Sequence, residues 1–291
     1  MIPTTQYPKL LGVTFDSLFR FAKHATDVCT KLSTRNRILR ALAGTSWGKD
    51  KETIVTTYKA IGRSVVNYAA PIWSPSLSDT QWSRLQSRQH NAVSTAIGCH
   101  QMAHPDHLHQ EIKMLKVEQH NMLLTKQFAL QCLNPEHPVY VLASTAPPQR
   151  IRNTFRTYTS EVSPLAPEIW DPRSSRLALD RVHQLAVVDA TENQAPNRVL
   201  ETLPPPIHDS EKTLPRTTRC TLSQLRSGWS IMLQTYNARI QEGVSDICPD
   251  CHTSPHTTSH LFTCPAHPTT LTPIDLWHRP VEVAHFLGLE I

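Results

Sequence analysis

"SDTQWSRLQSRQHNAVSTAIG", residues 78–98, decides the fold class. Ser78 and Gln81 make a Ser-x-x-Gln start, in which hydroxyl and amide satisfy helix-end backbone donors. Trp82, Leu85, Ala92, Val93 and Ala96 then recur at helical spacing, and Gly98 ends the run. Such a stripe needs an apolar partner, and the flanking segments supply it. Phe21, Ala25, Val28, Leu32, Leu39 and Leu42 form one stripe, with Lys23, Lys31 and Arg37 on the opposite side. In "KETIVTTYKAIGRSVVNYAA" (51–70), Ile54, Tyr58, Ile61, Val65 and Ala69 form another. Asp50 is its predicted N-cap and Pro71 its stop. A further helix is predicted from about residue 117 to 133.

Outward from this bundle the pattern changes. "YPKLLGVTFD" (7–16) reads as a short strand ended by a turn, so residues 1–16 form a β segment ahead of helices in 17–141. Residues 142–212 are dense in proline and read as extended linker with one helix. That helix takes Asp171 as cap and Pro172 at its first position, and buries Ala178, Val182, Leu185 and Val188. Residues 213–291 hold a helix in "TLSQLRSGWSIMLQTYNARI" (221–240), a cysteine cluster and a terminal helix in "PVEVAHFLGL" (280–289). The expected class is mainly α: a helical bundle after a short β segment, a Pro-rich linker, and a small metal-stapled helical end.

The 291 residues suffice for a sizeable core. No apolar run reaches the roughly 18 residues of a membrane span, and the N-terminus lacks the pattern of a secretory signal. An intracellular, reducing location is expected, nucleus or cytoplasm left open. Cys29, Cys99, Cys132 and Cys220 stand alone and read as small buried hydrophobes. The net charge of +5 is unevenly placed. Residues 17–104 hold twelve Lys/Arg against four Asp/Glu, while residues 241–291 hold only Arg279 against six acids. A phosphate-binding surface is therefore expected in the first third, through Lys23, Lys31, Arg37, Arg40, Lys49, Lys51, Lys59 and Arg63. Trp47, Tyr58, Tyr68, Trp73 and Trp82 lie among them, most of them expected in the core. Arg216, Arg219, Arg226 and Arg239 could add contacts nearer the end.

"CPDCHTSPHTTSHLFTC" (248–264) carries the clearest chemistry. Cys248, Cys251, His260 and Cys264 give C-x2-C-x8-H-x3-C, three sulfurs and one imidazole for a tetrahedral zinc. Four protein ligands leave no position for water, which suits a structural Zn2+. His256 is the rival ligand, with spacing C-x2-C-x4-H-x7-C. His104, His107 and His109 in "HPDHLHQE" read as exposed histidines at a helix start. There is no G-x-S-x-G, no Gly-rich phosphate loop, no H-E-x-x-H and no adjacent Asp pair, so no catalytic residues are assigned.

Three blocks together resemble the reverse transcriptases of LINE-type (non-LTR) retrotransposons, most of all jockey-type elements. "YPKLLGVTFD" is similar to the late palm block near the primer grip, with Leu11, Gly12, Val13 and Asp16 matching. Residues 41–99 resemble the thumb helices that follow. "TLSQLRSGWSIMLQTYNARI" with the Cys-Cys-His-Cys cluster resembles the C-terminal element, where the family often has His at the place of Trp229. The resemblance implies an RNA-directed DNA polymerase lineage and a thumb-like bundle gripping RNA or an RNA–DNA hybrid. It implies Mg2+ only in a full-length polymerase. The family's catalytic aspartates belong to a block expected ahead of residue 7, in an upstream palm and fingers, so no polymerisation is expected of this chain alone. A zinc-stapled protein-interaction module and a decayed transposon product are the alternatives.

Overall fold

The computed structural model describes residues 5–44, 47–145, 155–170 and 172–291, which are mainly helical. Strands β1 (Lys9–Leu10) and β2 (Val13–Thr14) form a hairpin. Then come α1 (Ala22–Leu42), α2 (Lys51–Tyr58), a π-helical turn (Lys59–Arg63), α3 (Ser64–Asn67), α4 (Ala70–Trp73), α5 (Asp79–Ile97), α6 (Pro105–Glu111) and α7 (Val117–Cys132). They are followed by α8 (Tyr140–Ser144), α9 (Phe155–Val162), α10 (Ala166–Ile169) and α11 (Pro172–Glu192). The last are α12 (Arg216–Ser227), α13 (Gln234–Ile240), α14 (Thr258–Leu261), α15 (Asp275–His278) and α16 (Pro280–Phe286). The chain divides into two compact units. One is Met1–Arg35, Lys59–Gln89 and Leu115–Asn193; the other is Asn36–Tyr58, His90–Met114 and Gln194–Ile291.

In the first unit the hairpin pairs Lys9 with Thr14 and Leu10 with Val13. Its two-residue turn puts Leu11 at φ 45° and Gly12 at φ 87°, the sense that matches strand twist. Glycine suits the second position twice over, because a Cβ there would also lie 3.2 Å from the Tyr68 ring. The Tyr68 hydroxyl donates to the Leu11 carbonyl at 2.7 Å. Val13, Phe21, Val28, Leu32, Val66, Trp73, Trp82, Leu85 and Val117 form one core. A second joins α7, α9, α10 and α11 through Leu123, Leu130, Tyr158, Val162, Ile169, Ala178 and Val182. A fully buried leucine such as Leu130 contributes about 1.5–3 kcal/mol over an exposed one.

Three expectations change. The 51–70 stripe holds at Ile54 and Tyr58, then shifts: Val66 and Ala70 are buried, while Ile61, Val65 and Ala69 are only partly so. The π turn adds one residue and advances the apolar face by one position. The Pro-rich stretch holds α9, α10 and α11 and supplies core side chains, so it is not extended linker with one helix. Of the α11 stripe, Ala178 and Val182 are buried but Leu185 and Val188 are exposed; Asp171 lies outside the described residues. The 221–240 helix is two helices, α12 starting at Arg216 and α13, separated after Gly228. The Ser78 start of α5 holds: the Gln81 side chain accepts from Ser78 N–H at 2.7 Å.

The core of the second unit holds Leu214, Leu222, Leu225, Leu233, Tyr236, Phe262, Leu276, Trp277 and Val283. Gly98, at φ 79°, ends α5; a Cβ there would meet the Cys220 sulfur at 2.3 Å, so only glycine admits α12 so close. Arg216 donates to the carbonyls of Ala43, Gly44, Thr95 and Ala96 at 3.1–3.4 Å, covering two helix ends.

His120, on α7, makes the first unit acid-sensitive. Its Nε2 lies 3.1 Å from the Asn67 amide nitrogen, so it accepts there as neutral imidazole. Burial, then the charges of Arg63, His183 and Lys59, bring its pKa down to about 4. Between that value and the unfolded histidine near 6.5, the unfolded chain binds more protons. Stability is therefore full above pH 6.5 and falls as pH drops toward 4, by on the order of 2 kcal/mol. Urea unfolding at pH 7 and pH 5 should show this loss in the native chain and a clearly smaller one in His120→Gln; an unchanged difference would refute it.

Candidate metal centre and charged residues

The Cys248–Cys251 turn is framed by a bridge between Ile247 and Pro255, and by Cys248 N–H donating to Ser254 O at 2.8 Å. The His252 N–H closes the turn onto Cys248 O at 3.0 Å. Thr257 caps α14, its hydroxyl accepting from His260 N–H at 3.2 Å, which sets the imidazole toward the turn. Cys264 lies four residues after His260, past the end of α14 and a turn at Phe262–Thr263. The four ligand atoms all lie within 4.8 Å of one another. Cys248 and Cys264 sulfurs are 3.9 Å apart, and Cys251 Sγ is 3.3 Å from His260 Nε2. A tetrahedron with metal–sulfur bonds of about 2.3 Å and metal–nitrogen bonds of about 2.0 Å has edges of about 3.8 and 3.5 Å. The geometry is compatible with a bound metal ion. All seven cysteines are free thiols, so no disulfide competes for these sulfurs.

Supporting contacts hold the ligands. The Thr253 hydroxyl donates to Cys251 Sγ at 3.2 Å, and its side-chain and backbone bonds bring that thiol down to about 6, favouring the thiolate a metal needs. Thr258 Oγ1 donates to Leu225 O at 3.0 Å, tying α14 to α12. Phe262 packs in the core, stacked at 6.1 Å on Phe286. His256, the rival ligand, is used otherwise: its Nδ1 accepts from Gln234 N–H at 3.2 Å and its carbonyl from the Thr235 hydroxyl at 2.9 Å.

The basic candidates divide. Lys31, Arg37, Arg40, Lys49 and Lys59 are exposed. Lys23 is exposed but paired with Asp27 at 2.7 Å. Arg63 is buried, reaching Lys116 O at 3.4 Å. Lys51 lies in a buried ion network, 3.0 Å from both Glu111 and Glu211. Neither Lys51 nor Arg63 is open to a phosphate backbone. Trp47 and Tyr68 are exposed, whereas Tyr58, Trp73 and Trp82 are core. Among the matched hairpin residues, Leu11 is exposed at the tip beside Gly12 and Val13 is buried. Asp16 Oδ1 accepts from the Leu18 and Arg20 amides at 3.1 and 2.9 Å.

The ion network in the second unit has no sequence motif. Arg226 pairs with Glu211, lies 3.7 Å from Glu111, and donates to Leu276 O. Ser223 donates to Glu111 at 2.5 Å, and Arg219 bonds Glu52 at 2.5 Å. Burial opposes charge on Glu211, but Arg226 and Lys51 outweigh it and hold its carboxyl below the usual range. Burial likewise opposes charge on Lys51, and the two glutamates hold its pKa above the ordinary value. Arg216, Arg219 and Arg226 are thus structural; of the four upstream arginines only Arg239 is exposed. His107 and His109 are buried, against expectation, with His107 Nε2 at 2.8 Å from Pro196 O. Cys29, Cys132 and Cys220 are buried as expected, and Cys99 is partly so.

No described helix is long and apolar enough to cross a membrane. Comparison of the chain with models of protein families, with curated proteins and with solved structures gives no match.

Proposed function

We propose that the chain is a nucleic-acid-binding protein whose end is held by a structural Zn2+, of the kind the C-terminal region of a non-LTR reverse transcriptase represents. The observation that carries this reading is the convergence of Cys248, Cys251, His260 and Cys264. Three thiolates and an imidazole suit zinc, and four protein ligands leave it no site for a reacting water. Binding then falls to cations elsewhere. Lys31, Arg37, Arg40, Lys49 and Lys59 form no ion pair among the described residues, and a phosphate backbone would satisfy them. The partner is RNA or an RNA–DNA hybrid, recognised through its backbone.

Gel-shift titration with a 20-base-pair RNA–DNA hybrid tests this. Binding should weaken steeply between 50 and 200 mM salt. The double variant Arg37→Glu/Arg40→Glu should lose about tenfold or more at low salt and show a shallower salt slope. No binding at 50 mM salt would defeat the reading. One observation favours a protein-interaction module instead: Leu177, Leu185 and Val188 are exposed on α11. Partner capture that survives nuclease, without hybrid binding, would select that alternative.

A further inference from the structure

Trp229 follows the end of α12, and two arginines lie over its ring. Arg198 and Arg239 each place the guanidinium carbon 5.1 Å from the ring centroid. Around them stand His100, stacked near the indole at 6.4 Å, and Tyr236, edge-on at 6.0 Å. Both arginines are exposed, and neither forms an ion pair among the described residues. Cation–π contact with an indole contributes about 0.5–1 kcal/mol at an exposed site. It does not neutralise two like charges sharing one ring. The shared ring keeps the two guanidiniums within electrostatic reach of each other, and partial burial, then the charge of Arg239, push the Arg198 pKa below its usual value.

The arginines are also held in place. Asn197 is buried; its side chain donates to Arg226 O at 3.2 Å and accepts from the amides of Val199 and Leu200 at 2.8 and 3.2 Å. Asn197 O accepts from Glu201 N–H at 2.7 Å, and Asn197 N–H donates to Thr202 O at 2.8 Å. Arg198 therefore projects from a fixed turn, and Arg239 from the last turn of α13. The backbone of Trp229 is fixed by its amide N–H, which donates to Gln224 O at 3.0 Å.

We infer that Arg198, Arg239 and Trp229 form a binding site for a short single-stranded RNA segment, separate from the exposed cations of residues 31–59. The two guanidiniums take successive phosphates, and their planes, ordered by the indole, stack an unpaired base. A duplex keeps its bases stacked inside and cannot use such planes. Polyglutamate could meet the charge but has no aromatic ring to place on the stack. The site rests on the nucleic-acid reading above but uses different residues, so the two can fail separately.

The test is fluorescence anisotropy with a labelled uridine hexamer, too short to need the other cations, using the full zinc-loaded chain. Native protein should bind it, with affinity falling as salt rises. Arg198→Ala/Arg239→Ala should reduce the log–log salt slope by about 1.4, from two lost phosphate contacts at about 0.7 each on a single strand. Trp229→Leu should weaken binding by about tenfold. Arg37→Glu/Arg40→Glu should leave hexamer binding within about twofold while losing the hybrid. Zinc content and thermal unfolding of each variant confirm that it is folded. No hexamer binding, or the same affinity and slope in the arginine variant, overturns the site. So does binding of polyglutamate in place of the hexamer. Hybrid binding, read in parallel, tells whether the broader reading survives.

Discussion

Removing the metal, or replacing Cys248 with serine, is expected to unfold residues 247–264 and loosen the core they join. Structural zinc sites contribute about 10–16 kcal/mol of binding free energy at neutral pH, as much as the whole stability of an ordinary domain. Here that energy has identifiable recipients. The Cys248–Cys251 turn rests on an isolated bridge and a few backbone bonds, and α14 is one turn long. Neither persists in water on its own backbone bonds. Phe262 and the Thr258–Leu225 bond transmit the loss to α12 and α16. Hydrogen exchange after chelation should therefore show lost protection across 247–264 and partial loss in 216–227. Protection in α7 and α11, which belong to the other unit, should be retained. Unchanged exchange in 247–264 would show that the metal does not hold this segment.

The second large effect belongs to Glu211. Its carboxylate faces Lys51 and Arg226 in a buried setting, with Arg219 at 3.9 Å. Glu211→Ala leaves those cations buried without their closest counter-charge, which costs about 3–5 kcal/mol. The midpoint of denaturant unfolding for the second unit should fall accordingly. Removing the cations and neutralising Glu111, their other buried partner, in Lys51→Met/Glu111→Gln/Glu211→Leu/Arg226→Met, should recover much of the loss, since a buried ion pair and an apolar replacement of like volume are often equal in stability. By contrast Glu282→Ala removes an exposed pair with Arg279 and should change little. If Glu211→Ala were as mild as Glu282→Ala, the network would not be a stabilising feature.

α5 was readable because its stripe keeps one period from Trp82 to Ala96 and its start and stop carry side-chain signals. The 51–73 region was readable only to Tyr58, because a π turn leaves no mark in composition yet moves every later side chain. Within 142–212 α11 is legible from Pro172 at its first position, whereas α9 and α10 are hidden by the proline density around them. In α10, Pro167 sits in the first turn, where its missing N–H costs nothing. The four candidate metal ligands, His260 among them, were legible in their spacing, and the fold gives the rival His256 other bonds. The burial of Lys51, Arg219 and Arg226 leaves no mark in the sequence. A cation on an amphipathic helix looks the same whether water or a distant carboxylate meets it, and Glu211 is 160 residues from Lys51.

In the proposed function the metal builds the Cys248–Cys264 segment and does no chemistry, leaving binding to cations elsewhere. X-ray absorption at the zinc edge, on protein purified with its metal, tests this most directly. One zinc per chain is expected, with three sulfur and one nitrogen neighbours, no oxygen, and the same shell when saturating RNA–DNA hybrid is added. An oxygen ligand, fewer than three sulfurs, or a shell that changes with nucleic acid would contradict it.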